Sequence, residues 1–209
     1  MGGRLCCMVN LCKIVFYSRF NRGKANFYRR GPMINFRGFL LVFFIVVSCS
    51  SLRATPIPST GTVDIYFSPN GGTTDAITHE IGNARSEILI QAYSFTSTPI
   101  AKALLDASKR GVRVVAVLDR SQQTQKYSGA TFLAHAGIPV FIDDKHAIAH
   151  NKIIIIDRQT LITGSFNFSK AAEEKNAENL LALKGNSPLV DRYVKNFAEH
   201  KSHSEPYLR

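Results

Sequence analysis

No cysteine follows Cys49 in this chain of 209 residues; Cys6, Cys7, Cys12 and Cys49 all lie near the N-terminus. That excludes a disulfide framework for the remainder, and with it any zinc site built on thiolates there. Acidic residues are missing from the opposite part of the chain. Residues 1–54 hold nine Lys/Arg and no Asp or Glu. The chain as a whole has 26 basic and 15 acidic residues, a net +11, so the remainder carries 26 − 9 = 17 basic against 15 acidic, a net +2. The basicity belongs to the leader. A general electrostatic case for nucleic-acid binding therefore fails for the rest of the chain, and only a local basic patch could restore it. Long apolar runs are absent as well. The longest, Phe39–Val47 (FLLVFFIVV), has nine residues, against about 20 for a membrane-spanning helix. No internal repeat and no low-complexity tract occurs.

That short run fits the apolar segment of a signal peptide. Arg37 precedes it, Met33 opens a compact basic stretch (MINFRG), and Ser48, Cys49, Ser50 and Ser51 follow it. Leu52-Arg53-Ala54 supplies a cleavage site. The reading is a leader over 1–54 whose true start is Met33, a Pro/Gly-bearing linker over 55–61, and one domain over 62–209. The expected destination is the periplasm or the medium. Two alternatives remain: an uncleaved anchor through 39–47, and a lipoprotein acylated at Cys49.

Within the domain, strands and helices alternate. Val63–Phe67 alternates like a strand, and Thr74 or Asp75 is expected to cap a helix running to Arg85. Strands are expected at Glu87–Ala92, Val112–Leu118, Gly137–Ile142, Asn151–Ile156, Thr160–Thr163 and Asn179–Leu183. Thr98-Pro99 opens a helix whose Ile100, Ala103, Leu104 and Ala107 keep helical spacing until Gly111. Further helices are expected over Gln123–Ala136 and Pro188–His200. This pattern predicts an α/β fold with a mixed β-sheet flanked by helices on both faces. About 155 residues suffice to bury a sound core without staples.

The chemistry is concentrated in His150-Asn151-Lys152-Ile153-Ile154-Ile155-Ile156-Asp157 and in Gly164-Ser165-Phe166-Asn167. On a strand, residues two apart share a face, so His150 and Lys152 point the same way. Four isoleucines then drive the strand into the core and hold both groups at its end, as reacting groups require. Ser165 and Asn167 repeat the two-residue spacing beside Gly164 and add a hydroxyl and an amide. A neutral nucleophile, a held cation and two neutral donors suit a phosphodiester, whose non-bridging oxygens gather charge in the transition state.

This stretch resembles the HxKxxxxD signature of the phospholipase D superfamily with its trailing GSxN, every element at the family's spacing. The likeness extends from about Val63 to His200, through Ile90–Thr96, Ala107–Val112, Ser169–Glu173 and Asn176–Asn179. By size and layout the chain resembles small exported bacterial endonucleases with one motif copy. It is less similar to animal mitochondrial members, which carry a Cys/His metal-binding insert absent here. The resemblance implies that His150 is the nucleophile, forming a phosphohistidine, and that Lys152, Ser165 and Asn167 hold phosphate oxygens. It implies that Asp157 completes the catalytic signature, mainly as a tie between the strand end and nearby backbone. It also sets Glu178 against the imidazole of His150, fixing its tautomer. No cofactor and no metal are expected.

Other polar residues read more plainly. His79, His135, His146, His200 and His203 show no pattern and are taken as structural. Asp143-Asp144-Lys145-His146 reads as a polar loop near the mouth of the site rather than as a metal site. Arg120, Lys170 and Lys175 either line a substrate groove or are solvated. The functional expectation is a metal-independent phosphodiesterase acting on DNA or RNA. Its alternatives are a phospholipase D releasing phosphatidate, with transient membrane contact, and an inactive binding module on the same fold. The chain has one motif copy where larger members have two, so a homodimer sharing one active site is expected.

Overall fold

The computed structural model describes residues 56–125 and 128–208. The leader readings (Met33, the 39–47 run, Cys49 and the cleavage site) lie outside the described residues. Eight strands form one sheet: β1 (Thr62–Ser68), β2 (Glu87–Ala92), β3 (Arg113–Asp119), β4 (Val140–Asp143), β5 (Lys152–Ile156), β6 (Thr160–Gly164), β7 (Glu178–Lys184) and β8 (Glu205–Pro206). Their order across the sheet is β1-β7-β6-β5-β2-β3-β4-β8. β2, β3 and β4 run parallel, and the other neighbours pair antiparallel. The sheet is therefore mixed, as expected. Five helices accompany it: α1 (Thr73–Gly82), α2 (Thr98–Lys109), α3 (Gly129–His135), α4 (Lys170–Glu174) and α5 (Ser187–Ser202).

Strand alternation sorts the core into two layers. Ile88, Ile90, Val114, Ala116, Ile154, Ile156 and Ile162 share one face with the buried residues of α1, α2 and α3, including Ile77, Ile81 and Leu104. Leu89, Val115, Val117, Ile153, Ile155 and Leu161 share the other with Val190 and Phe197 of α5. β5 is buried at all five positions because both faces are covered where it runs. That explains its unbroken isoleucines, each contributing roughly 1.5–3 kcal/mol on burial.

Three boundaries differ from the expectation, each for a tertiary reason. Neither Thr74 nor Asp75 caps α1. The cap position is Gly72, in the left-handed conformation at φ 74° and without a side-chain bond. Glu173 of α4 instead accepts from the Thr74 backbone N–H at 2.7 Å and from its hydroxyl at 2.9 Å. α1 stops at Gly82 rather than Arg85, because the N–H groups of Arg85 and Ser86 are taken by the Asp157 carboxylate. The helix expected over Gln123–Ala136 is shorter. A 3₁₀ turn occupies Arg120–Gln123, started by Asp119 accepting from the Ser121 N–H, and α3 begins only at Gly129. Gln122 is buried there and accepts from the Phe95 N–H at 3.2 Å. Two short elements escaped the reading: α4, capped by the Ser169 hydroxyl, and β8, which adds to β4.

Candidate active site

The register sets Lys152, Ala92, Leu118 and Ile142 in one row across β5, β2, β3 and β4. The carboxyl ends of three parallel strands thus meet the start of antiparallel β5 along one rim. Such a rim is where open α/β sheets usually bind ligands. Two bonds hold the segment that reaches it. Asp119, buried at the end of β3, accepts from the Ala149 N–H at 2.7 Å, and the Tyr93 N–H donates to the Asn151 carbonyl at 2.9 Å. His150 lies between these anchors and is exposed.

Lys152 opens β5 and is only 6% exposed. Its Nζ donates to the His150 carbonyl at 2.9 Å and lies 5.3 Å from the centre of the Tyr93 ring. The same ring stands 4.6 Å from the imidazole of His150, centre to centre. Both groups therefore share one side, as the two-residue spacing predicted. Burial pushes the Lys152 ammonium below its ordinary pKa of 10.5, and the charge of Glu178 partly opposes that shift. An ammonium has three N–H groups, and among the described residues only one has an acceptor. The other two are available to an anion.

Ser165 and Asn167 follow β6. Gly164 has φ 155°, and a Cβ there would collide with the Asn179 carbonyl oxygen, so only glycine lets the chain turn so close to β7. That carbonyl then accepts from the N–H groups of Ser165 and Phe166, and the Ser165 Oγ accepts from the Asn179 N–H at 3.0 Å. Asn167 Oδ1 is buried without a hydrogen-bond partner among the described residues. Turned over at its last torsion, that amide offers an NH₂ from the same position.

Two predicted residues make no hydrogen bond to His150. Asp157 is at the far end of β5, five residues and roughly 17 Å of strand from Lys152. It does not touch the reacting groups. Its Oδ1 accepts from the Ser86 N–H, the Ser86 hydroxyl and the Glu87 N–H, and its Oδ2 from the Arg85 N–H, at 2.8 to 2.9 Å. Burial alone would raise its pKa. The bonds from Ser86 and Arg85 and the Arg85 charge outweigh burial and leave it below the ordinary 3.8. It is the tie expected of it, and not a catalytic group. Glu178 is not hydrogen-bonded to His150 within the chain. β6 separates β7 from β5, and Glu178 Oε1 accepts from the Asn176 amide at 3.2 Å. Its effect on the site is through the charge of Lys152.

Sequence reading passed over Tyr93 and Asp119. Asp119 carried a signal, a carboxylate at the carboxyl end of a buried strand; Tyr93 carried only its place after β2. Of the possible groove residues, Lys170 pairs with Glu174 at 3.4 Å, while Arg120 and Lys175 are exposed. His79 meets Asn83 on the surface of α1. The reading of His146, His200 and His203 as patternless is corrected, because the fold gathers all three around Asp143.

A strand-end lysine and histidine beside a glycine-anchored Ser/Asn loop, on a mixed sheet with helices on both faces, define a phosphodiesterase of the phospholipase D class. Residues 77–201 match the family described as "Cardiolipin synthase, PLD-like domain", and the chain belongs to that family. It is 44% identical over 140 residues to a Rickettsia bellii protein named "Phospholipase D", covering 67% of this chain and 69% of that one. It is 34% identical over 116 residues to the human "Mitochondrial cardiolipin hydrolase", covering 56% of this chain and 44% of that one. The crystal structure of Nuc, a phospholipase D family member from Salmonella typhimurium, superposes with a TM-score of 0.69 at 36% identity, over 72% of this chain and all of that one.

Proposed function

We propose that the chain hydrolyses nucleic-acid phosphodiesters through a covalent phosphohistidine at His150. The observation that carries this reading is the pairing of an exposed imidazole with a buried ammonium that keeps two N–H groups unused. In the first step a ring nitrogen of His150 attacks phosphorus. A P–N bond forms, the P–O bond to the leaving group breaks, and the leaving oxygen takes a proton from a second acid. Lys152, Ser165 and Asn167 neutralise the non-bridging oxygens throughout. In the second step water attacks phosphorus, gives its proton to the group that served as acid, and frees His150.

The second acid is assigned to His150 of another copy of this chain, giving a dimer with one shared site. The signature occurs once, and within the chain His150 has no carboxylate partner among the described residues. An apolar stripe supports a packing surface. Val63, Ile65 and Phe67 of β1 lie on the sheet face that carries α5, are 46%, 57% and 65% exposed, and end at Phe67 opposite Asn179 beside the site.

The open setting of His150 favours a long polymer as substrate. The names borne by the Rickettsia and human relatives favour a phospholipid, so the two readings are tested together. Purified protein is incubated in EDTA with plasmid DNA, with RNA and with cardiolipin-containing vesicles. Nicking of nucleic acid that His150→Ala abolishes is the expected result; vesicle hydrolysis without nucleic-acid cleavage assigns the lipid reading instead.

A further inference from the structure

Four potential metal ligands converge at the end of β4. Asp143 has no exposed surface, and the nearest nitrogens of His200, His146 and His203 lie 2.6, 3.0 and 3.4 Å from its Oδ2. One ligand atom from each of the four lies within 4.8 Å of every other. The imidazole centres are 4.8, 5.2 and 5.4 Å apart. A tetrahedral ion with bonds of about 2.0–2.1 Å separates its ligand atoms by about 3.4 Å, so a pair at the 4.8 Å limit would close by about 1.4 Å to enclose one. We propose that Asp143, His146, His200 and His203 form a zinc-class metal site, separate from the phosphodiesterase centre.

The ligand chemistry selects the ion. Three imidazoles and one carboxylate suit Zn²⁺ and its first-row neighbours. Mg²⁺ and Ca²⁺ prefer oxygen, of which this site offers one carboxylate. Four protein ligands also complete a tetrahedron, as in structural sites, without leaving a position for substrate. The alternative is a hydrogen-bond hub in which three imidazoles donate to one acid.

The position of the site gives it a consequence. Asp143 ends β4 and His146 lies in the segment that reaches His150 four residues later. His200 stands in the last turn of α5, and His203 caps that helix just before β8. The site lies on the same rim as Lys152, three strands away across the sheet, or roughly 14 Å. A bound ion would clasp the C-terminal helix and the His150 segment to the sheet edge. It takes no part in the bonds made and broken at His150, and the inference does not depend on the phosphodiesterase reading.

The test uses the full chain, stripped with chelator and dialysed against Zn²⁺, Co²⁺ or Mg²⁺. One equivalent of Zn²⁺ per chain should remain, Tm should rise by roughly 5 °C or more, and Co²⁺ should give the visible bands of a tetrahedral complex. His146→Ala and His203→Ala remove partly exposed rings and should fold, as circular dichroism can verify. Loss of an outer-shell partner already weakens a metal site about 10–100-fold, so each should weaken Zn²⁺ binding at least about 100-fold. His150→Ala should keep its equivalent, which separates this site from adventitious binding at the catalytic imidazole. The proposal is overturned if the wild type holds no more Zn²⁺ than these two variants, if Tm does not respond, or if Mg²⁺ binds equally well.

Discussion

A lysine ammonium that is nearly out of solvent yet has one acceptor is held ready for an anion, and its protonation sets a limit on activity. Burial pushes Lys152 below 10.5 despite the nearby charge of Glu178. A lysine is charged below its pKa, so the phosphate-binding form is lost as pH rises through the lowered value. The alkaline limb of kcat/KM should therefore fall below pH 10.5, and Glu178→Gln should move that limb further down, because the opposing charge is gone. Titrating kcat/KM in both proteins checks this; an unmoved limb would mean that another group controls it. At His150, removal of the attacking atom should cost more than the roughly 10²–10⁴-fold typical of a lone acid–base group. Of the residues named from sequence, His150, Lys152, Ser165 and Asn167 needed only strand spacing and a short loop to be found. Tyr93 lies just after β2 and Asp119 at the end of β3, and nothing local to the motif points to them.

At the scale of elements, β5 is a rod with a polar group at each end. Lys152 faces the site, and Asp157 stitches the far end to the start of β2. Four charge-assisted bonds to one carboxylate make Asp157→Asn expensive, by roughly 2–4 kcal/mol, with an intact fold at neutral pH. Since the native pKa of Asp157 lies below its ordinary 3.8, its contribution is complete above that value. It is then lost as pH falls below that value, through the lowered native pKa. The wild type should lose its margin over Asp157→Asn in that window, as urea unfolding across pH can measure. A constant margin would rule out the carboxylate as the cause. The two ends of α1 that local signals misplaced fail for one physical reason. The start of α1 is satisfied by Glu173, about a hundred residues away, and its end is preempted by Asp157. Capping rules consult only local side chains, and these bonds are not local.

At the scale of the whole molecule, one signature per chain leaves the reaction short of an acid. A shared site makes a definite prediction when excess His150→Ala protein is unfolded and refolded with wild type. Mixed dimers should be inactive or nearly so, and activity should fall as the square of the wild-type fraction, to about a quarter of full specific activity per total protein in an equal mixture. A linear fall, or full activity from a species sedimenting as a monomer, would exclude the shared site. Phe67→Asp should shift the protein toward monomer and lower activity with it, because the exposed β1 stripe is the surface assigned to the contact.

The sequence by itself determined the α/β class, the two-sided burial of β5 and the grouping of His150, Lys152, Ser165 and Asn167 at one end of that strand. Periodicity and a motif spanning eighteen residues are local properties, set by the pleat of a strand and the reach of one loop. Tertiary structure alone decided that Asp157 binds the backbone of Arg85, Ser86 and Glu87, and that Glu178 touches Asn176 rather than His150. It also decided that His146, His200 and His203 belong together. Fifty-seven residues separate His146 from His203 along the chain, and no spacing rule spans that distance. They meet because β8 pairs with β4 and α5 packs across the sheet, bringing the end of the chain back to Asp143.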